Sequence, residues 1–235
     1  MKDNNVFVQN GFPIGGEFFD ARDRRASVSP HKNFYGLYGK RIFDIALALA
    51  LLPLLLPLIS VVWLLTRRDG GPGFFGQTRI GMSGQSFRCW KLRTMTVNAE
   101  AVLKKLFEEN PEMAEEWRLT QKLKNDPRIT KIGRFLRKTS LDELPQVWNV
   151  LKGEMSFVGP RPVLRDALER YGRNRRAYLS VRPGITGLWQ VSGRNDVSYE
   201  QRIKLDVDYR SDMSLLTDIK LIAKTIGVVF KPTGY

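Results

Sequence analysis

The chain has 235 residues, of which 38 are Lys or Arg and 24 are Asp or Glu, so its formal charge is +14 and its isoelectric point about 10.1. The single cysteine, Cys89, excludes an internal disulfide and agrees with a reducing compartment. Because the single histidine, His31, lies in a polar N-terminal stretch, any chemistry must run largely without His or Cys. The excess of positive charge predicts an anionic partner.

Residues 1–36 form a polar N-terminal segment rich in Gly, Asn, Asp, Arg, Ser and Pro, with no apolar period. A segment of this composition buries too little apolar surface to fold on its own. We predict a flexible tail without a catalytic residue over residues 1–36, a membrane segment over residues 37–69 and one further domain over residues 70–235.

The membrane segment contains an almost uninterrupted apolar run, Ile42–Thr66. As one straight helix the run would extend about 37 Å, which is enough to cross a hydrocarbon core of about 30 Å. Basic pairs flank it, Lys40 with Arg41 before and Arg67 with Arg68 after. Because Lys and Arg prefer the cytoplasmic side, these flanks favour entry and exit on one face. Together with the charge spread along the chain, the run favours anionic lipid headgroups and phosphorylated substrates over nucleic acid as partners.

Two prolines, Pro53 and Pro57, interrupt the apolar run. Each lacks a backbone donor and clashes with the carbonyl four residues earlier, which costs about 3 kcal/mol in a helix interior. Charges and prolines together favour a helix-break-helix hairpin that dips into the membrane and returns. A kinked transmembrane helix is the alternative, since neighbouring groups can satisfy the freed carbonyls. Asp44, one turn inside the boundary, is predicted to pair with Lys40 or Arg41.

The rest of the chain predicts a mostly helical α+β domain. Two short strands around a glycine turn, Phe74–Ile80 and residues 85–95, are expected to form a β-hairpin. Pro111 divides two helices between residues 98 and 124. A loop rich in Gly and Pro is expected over residues 182–194. Further helices are expected over residues 132–138, 142–152, 163–179, 198–210 and 215–230.

The last of these helices is amphipathic. Ordinary packing against a core explains its apolar stripe, and so does a position in the membrane interface. The sequence leaves both explanations open. The stripe consists of Leu215, Leu216, Ile219, Ile222, Ala223, Ile226 and Val229.

The chemically richest segment spans residues 137–146. Because Pro145 belongs in the first turn of a helix, Asp142 is predicted as the N-cap and Glu143 as the first helical residue. The helix N-terminus would keep both carboxylates ionised. An ionised Asp142 is a usable nucleophile towards phosphorus, and Glu143 could hold a divalent cation that neutralises phosphates. A plain capping box from Ser140 to Glu143 explains the same residues.

Cations in other segments could serve a phosphate. Lys91 and Arg93 lie two positions apart in a strand and would share a face as a clamp. Arg161 is fixed between two prolines, and a prearranged arginine suits a diphosphate. Arg137 adds charge beside the carboxylates, and Arg194 lies in a loop with Gly and Asn. A solvated strand face and structural turns explain these residues equally well.

From Lys40 to Tyr235 the chain resembles the bacterial sugar transferase family, the monotopic phosphoglycosyl transferases. One departure is that Leu52 precedes Pro53, where some members have a Ser-Pro pair. The matching blocks are Lys40-Arg41 with Asp44, Lys91-Leu92-Arg93-Thr94-Met95, Asp126-Pro127-Arg128, residues 136–146, Gly153-Glu154-Met155-Ser156, residues 158–162 and residues 182–190.

The resemblance implies an enzyme that moves a hexose 1-phosphate from UDP-galactose or UDP-glucose to undecaprenyl phosphate and releases UMP. This reaction is the first membrane step of exopolysaccharide synthesis in the small members of the family. By the same resemblance, Asp142 forms a phosphosugar intermediate, Glu143 is the Mg²⁺ ligand, and Pro53 and Pro57 mark the break of a re-entrant hairpin. The implied location is the cytoplasmic face of the bacterial inner membrane.

Two other classes of function share some of these features. A non-catalytic, membrane-anchored module could bind anionic lipid or an acidic polymer through its positive charge, and it would tolerate loss of both carboxylates. A magnesium-dependent lipid phosphatase would use the same Asp-Glu pair but release free phosphate. The sequence leaves open which sugar is used and whether the chain forms a homo-oligomer.

Overall fold

The computed structural model describes residues 34–120, 123–193 and 197–230. Over these ranges the chain is mostly helical with two small sheets, which confirms the α+β class. The predicted N-terminal tail lies outside the described residues except from residue 34 onwards. The strands are β1 (Phe74–Ile80), β2 (Ser86–Leu92), β3 (Ser156–Val158) and β4 (Gly184–Thr186). The α-helices are α1 (Lys40–Thr66), α2 (Ala99–Glu109), α3 (Pro111–Thr120), α4 (Lys131–Thr139), α5 (Gln146–Lys152), α6 (Arg165–Glu169), α7 (Arg175–Leu179), α8 (Leu188–Val191), α9 (Tyr199–Ser211) and α10 (Leu215–Phe230).

Strands β1 and β2 form the antiparallel hairpin that the sequence predicts, although β2 ends at Leu92, earlier than expected. Directly opposite residues of an antiparallel pair point to the same side. One face is turned inwards, because Phe87 and Cys89 on it are buried in the core. The opposite pairs on this inner face are Phe75 with Lys91, Gln77 with Cys89, and Arg79 with Phe87.

Helix α1 runs without interruption from Lys40 to Thr66 and contains both Pro53 and Pro57. The segment is therefore not divided into two separate helices, and a bend at Pro53 and Pro57 stays a prediction. Each proline removes only one donor, and the other backbone groups of an apolar segment satisfy their hydrogen bonds best within the helix. Within the described ranges, Tyr35–Asp69 is the one helical segment whose length and composition would let it cross a membrane. Re-entry stays a prediction.

One side of α1 packs against the rest of the protein. Ala48, Ile59 and Val62 are buried on this side, and Ala48 and Ile59 pack in one cluster with Val147 and Val150 of α5. The opposite side is exposed and apolar, which is typical of a surface that contacts lipid or another protein. Its exposed large side chains are Ile42, Leu49, Leu54, Leu56, Leu58, Val61 and Leu64.

Both ends of α1 are bound by the same domain. At the start, Lys40 Nζ lies 2.6 Å from Asp218 Oδ2 in α10, and Arg41 Nη1 donates to the Val150 carbonyl at 2.5 Å. At the end, the Thr66 carbonyl accepts a hydrogen bond from Arg93 Nη2 at 2.7 Å. Both ends of α1 therefore contact the same domain, so they would lie on the same side of a membrane that covered its exposed face.

Asp44 is fully buried in α1. Its Oδ1 atom accepts hydrogen bonds from Ser156 Oγ at 2.9 Å and from the Phe157 backbone N–H at 3.0 Å. No salt bridge joins Asp44 to Lys40 or Arg41 among the described residues, because both cations bind partners elsewhere in the domain, and of the two only the charge of Lys40 acts on Asp44. Asp44 instead ties the membrane segment to β3.

The C-terminal third differs from the prediction in two places. The single helix expected over residues 163–179 is divided into α6 and α7 by a 3₁₀ turn at Gly172–Asn174, where Gly172 has a positive φ of 50°. The loop expected over residues 182–194 contains β4 and α8, and β4 pairs in parallel with β3. Helix α9 begins with a capping box formed by Ser198 and Gln201.

Helix α10 has the predicted bounds. Its inward side carries Asp218 and Leu221, both buried. Four apolar side chains of the predicted stripe point outwards instead, so core packing does not explain them. They are Leu215, Leu216, Ile219 and Ile226.

Candidate active site

The two carboxylates singled out by the sequence lie on a short 3₁₀ turn, Leu141–Glu143, between α4 and α5. Ser140 takes a left-handed conformation with φ of 58°, which redirects the chain after α4. Helix α5 begins only at Gln146, and no side chain caps its start or that of the turn. The predicted N-cap at Asp142 and the capping box are therefore wrong. Asp142 is 7% exposed and performs no capping role.

Two cations from separate elements hold Glu143. Lys91 Nζ, from β2, lies 2.6 Å from Glu143 Oε1. Arg161 Nη2, from the loop after β3, lies 2.7 Å from the same oxygen. The hairpin and the proline-flanked turn thus meet at this carboxylate, as the hypothesis of a shared site requires.

Asp142 has a less complete environment. The Lys91 ammonium is its nearest cation, with Nζ 3.6 Å from Asp142 Oδ2. Within the described part of the chain, its carboxylate accepts no hydrogen bond. A nearly buried carboxylate without hydrogen bonds is costly to maintain, and such groups concentrate at functional sites.

The two carboxylates differ in pKa. Burial would raise the pKa of Glu143, but the charges of Arg161 and Lys91 outweigh it and lower the pKa to about 2. Burial raises the pKa of Asp142, and the neighbouring Glu143 raises it further, against the opposing charges of Lys91, Arg137 and Arg161. The expectation that a helix N-terminus keeps Asp142 ionised is therefore wrong. Its ionisation depends on the surrounding cations.

Arg137 lies in the last turn of α4, close enough for its charge to act on Asp142. Its Nε atom donates to Thr94 Oγ1 at 2.9 Å. Among the described residues its terminal nitrogens donate no hydrogen bond, so they can contact a ligand. Arg137 thus joins Lys91 and Arg161 around the carboxylate pair.

Arg93 does not join them. It follows the end of β2, is 8% exposed, and directs its side chain to the end of α1. Its donors contact both carboxylate oxygens of Asp69 and the carbonyls of Thr66, Pro72 and Met95. With all donors of the guanidinium directed to protein oxygens, the predicted role in phosphate binding is wrong. Arg93 fixes the exit of the membrane helix.

Arg194, the remaining predicted phosphate ligand, lies outside the described residues. In contrast, sequence reasoning missed Arg79 on the inner face of β1. Its charge interacts with those of Arg161 and Glu143. The signal that could have found it is the two-residue period of β1, but the pairing register of the hairpin was needed to place it on the same face as Lys91, with the Gln77–Cys89 pair between them.

The donor set can be tested for magnesium. Mg²⁺ often binds through one or two carboxylates together with substrate phosphates. Asp142 and Glu143 supply this donor type, but the described residues contain no group of three or more His, Cys, Asp or Glu side chains able to hold a metal. The residues therefore fit an ion that shares its coordination with substrate phosphates.

An apolar helix bound at both ends to the same domain, with cations around an Asp-Glu pair, agrees with a membrane-associated protein whose substrates carry phosphate. The family model for bacterial sugar transferases matches residues 35–232. The chain belongs to the bacterial sugar transferase family.

Named relatives agree with this assignment. The UDP-galactose-lipid carrier transferase of Erwinia amylovora is 52% identical over 195 residues, which are 83% of this chain and 41% of the relative. The undecaprenyl-phosphate galactose phosphotransferase of Salmonella typhimurium is 50% identical over the same shares. The exopolysaccharide production protein ExoY of Sinorhizobium fredii is 51% identical over 200 residues, 85% of this chain and 88% of the relative. The chain thus spans about two fifths of two relatives and most of the third.

Proposed function

We propose that the protein transfers a hexose 1-phosphate, with galactose as the first candidate, from a UDP-sugar to undecaprenyl phosphate and releases UMP. The observation that carries the proposal is Asp142, a nearly buried carboxylate that accepts no hydrogen bond in the described chain and lies among Lys91, Arg137 and Arg161. The names of the relatives from Erwinia and Salmonella support the galactose and lipid-carrier parts.

In the first step, a carboxylate oxygen of Asp142 attacks the β-phosphorus of the UDP-sugar. A bond forms between Asp142 and this phosphorus, and the bond from the phosphorus to the bridging oxygen breaks. The electron pair leaves with UMP, so an ionised Asp142 needs no general base. Lys91, with Nζ 3.6 Å from Asp142 Oδ2, favours the ionised form and can also accompany the phosphoryl oxygens.

In the second step, a phosphate oxygen of undecaprenyl phosphate attacks the same phosphorus. The bond to Asp142 breaks and returns the carboxylate. One phosphoanhydride bond is thus exchanged for another, so no large driving force is available. The rate must come from positioning and from charge compensation by fixed cations.

Mg²⁺ is the proposed cofactor, and Glu143 is its proposed protein ligand beside the substrate phosphates. When bound, the ion would neutralise phosphate charge. Two features of this chain support the assignment: the pKa of Glu143 is lowered to about 2, so the side chain stays anionic, and its geometry is fixed by Lys91 and Arg161.

We also propose that α1 re-enters the cytoplasmic leaflet of the bacterial inner membrane and does not cross it. A crossing helix would carry its two ends to opposite sides of the bilayer, whereas Lys40 and Thr66, at opposite ends of α1, both contact the one domain. The exposed apolar faces of α1 and α10 support immersion in one leaflet.

Single cysteines at the two ends of the segment test this placement. Tyr38→Cys and Gly70→Cys, each combined with Cys89→Ala, should both resist an impermeant thiol reagent applied from the periplasm and react after the membrane is permeabilised. Periplasmic labelling of one position with protection of the other would establish a crossing helix.

The test of the reaction uses purified protein, Mg²⁺, undecaprenyl phosphate and a panel of UDP-sugars. We expect one or two of the UDP-hexoses in the panel to support release of UMP and formation of a lipid diphosphate sugar. Release of inorganic phosphate from the lipid instead would favour a phosphatase. Tight binding of anionic vesicles by both wild type and Asp142→Asn, with no turnover of any UDP-sugar, would favour the non-catalytic module.

A further inference from the structure

Arg79 is a partly buried cation on the inner face of the β-hairpin. It lies on the same face as Lys91, because Arg79 is opposite Phe87 and Lys91 is opposite Phe75 in the register of the two strands. The next residue, Ile80, donates its backbone N–H to the Val163 carbonyl at 3.0 Å. This bridge fixes the end of β1 against the loop that carries Arg161.

Most N–H donors of the Arg79 guanidinium have no hydrogen-bond partner among the described residues. Its Nη2 atom donates to Gln77 Oε1 at 2.6 Å, and this is its one hydrogen bond within the described residues. No carboxylate of the described chain lies within 4.0 Å of its guanidinium. Gln77 thus orients the planar group while leaving its other N–H groups for a ligand, which is the arrangement that suits a phosphate.

The charges around the site leave an excess that an anion would balance. Four cations, Lys91, Arg79, Arg137 and Arg161, surround the carboxylate pair Asp142 and Glu143, and the one further carboxylate that acts on them, Asp126, is already paired with Arg128. Burial and the repulsion from Arg161 both lower the pKa of Arg79, although Cys89, Tyr178 and Glu143 act in the opposite direction. A bound phosphate would relieve this unfavourable environment.

The register of the hairpin places Arg79 away from the nucleophile, because the Gln77–Cys89 pair separates it from Lys91, whose Nζ atom lies 3.6 Å from Asp142 Oδ2. Arg79 interacts with Arg161 and Glu143, whereas Asp142 interacts with Lys91, Glu143, Arg137 and Arg161. Arg161 and Glu143 are thus the charges that act on both residues. A diphosphate with its reacting phosphorus at Asp142 would extend its other phosphate towards Arg79.

We propose that Arg79, oriented by Gln77, binds the non-reacting phosphate of a nucleotide diphosphate donor and stabilises the negative charge that develops on it when the monophosphate leaves. This assignment rests on the proposed function, in which that leaving group is UMP. The assignment makes Arg79 the residue that binds the phosphate of the leaving nucleotide. Other residues contact the phosphate that is transferred.

The test compares Arg79→Gln and Arg79→Lys with Arg88→Gln, a matched control on the exposed outer face of the same hairpin. Calorimetry would measure the affinity of each variant for UMP, and exchange of labelled UMP into the UDP-sugar would measure the reverse of the first step. We expect about tenfold or greater loss of UMP affinity in Arg79→Gln, a smaller loss in Arg79→Lys and none in Arg88→Gln. The KM for undecaprenyl phosphate should stay unchanged in all three.

Unchanged UMP affinity in Arg79→Gln would overturn the assignment, and so would a selective rise in the KM for the lipid acceptor. A lower melting temperature with equal loss of every kinetic parameter would likewise contradict it, since this pattern indicates a structural role. If wild type releases no UMP from any UDP-sugar, the proposed function fails separately. The affinity for inorganic pyrophosphate then decides about Arg79: selective loss in Arg79→Gln supports the anion site, and equal affinity contradicts it.

Discussion

Two clusters of this protein each place a buried Asp near a Lys, and they differ in how completely the hydrogen bonds of the Asp are satisfied. At Asp218 in α10, Lys40 Nζ lies at 2.6 Å, and the hydroxyls of Tyr35 and Tyr209 donate at 2.5 and 2.8 Å. At Asp142, the nearest cation, Lys91, lies at 3.6 Å, and within the described chain no hydrogen bond reaches the carboxylate.

We interpret the Asp218 cluster as structural and the Asp142 cluster as the candidate functional site. Both carboxylate oxygens of Asp218 accept hydrogen bonds, and the residue is fully buried. A ligand could therefore replace these contacts only if α1 and α10 separated. The cations around Asp142 and Glu143 outnumber the carboxylates of that pair, which supports the proposal that a bound anion completes the cluster. Hydrogen-bond donors and acceptors that lack a protein partner therefore identify a candidate functional site better than the number of charged residues does.

The largest expected effect comes from removing the incompletely satisfied carboxylate. Asp142→Asn should lower sugar phosphate transfer by more than about a thousandfold, because the nucleophile is lost. Its melting temperature should not fall, since a buried carboxylate with a raised pKa is replaced by a neutral group of the same size. Asp166→Asn, at an exposed carboxylate of α6, is the control for both assays. Near-normal transfer by Asp142→Asn would make this residue structural.

Breaking the closed cluster should have the opposite profile. Asp218→Asn leaves Lys40 buried without its counter-ion, and losing one partner of a buried pair costs about 3–5 kcal/mol. Urea unfolding in detergent should show this loss, whereas the transfer rate per folded molecule should stay close to that of wild type. Unchanged unfolding would mean that the cluster does not stabilise the join between α1 and α10.

Lys91 connects the two carboxylates of the active site and should affect the pH dependence of transfer. Its charge is the first of those that lower the pKa of Asp142 against burial. Lys91→Met should therefore raise this pKa further and move the acidic limb of the pH-rate profile to higher pH, with a loss at neutral pH of at least about tenfold. A loss without movement of the limb would limit Lys91 to phosphate binding.

A smaller effect is expected on the outer face of the helix that carries Asp218. Leu216→Ser combined with Ile219→Ser removes exposed apolar area without touching the buried face of α10. Binding to vesicles of inner-membrane lipid should weaken about tenfold, while stability in detergent should change little. Equal vesicle binding would show that α10 does not lie in the interface.

The parts of the fold that depend on local signals could be predicted. Pro111 correctly divides α2 from α3, the glycine turn correctly joins β1 to β2, and α10 has the predicted bounds. The continuous α1 could not be predicted from prolines alone. The helix continues because, in apolar surroundings, its backbone N–H and C=O groups can find hydrogen-bond partners only within the helix. Packing of Ala48 and Ile59 against α5 also stabilises it.

In the candidate active site, the carboxylate pair could be singled out from the sequence, whereas the cations that the structure places around it were harder to predict. A two-residue period places Lys91 and Arg93 together only if the strand continues, but β2 ends at Leu92 and Arg93 turns to α1. Arg79 comes from a different strand, so its position depends on the register of the hairpin. The pKa of Asp142 likewise depends on burial by tertiary packing, which a local capping pattern does not describe.

The central claim is that Asp142 carries the phosphosugar, and intact-protein mass spectrometry tests it most directly. Wild-type protein mixed with UDP-sugar and Mg²⁺, without lipid acceptor, should release up to one UMP per active site and gain the mass of one hexose phosphate. The adduct should be absent in Asp142→Asn and should disappear from wild type when undecaprenyl phosphate is added. If UMP forms only in the presence of lipid and no adduct can be detected, the acceptor attacks the donor directly and the account of Asp142 as nucleophile is contradicted.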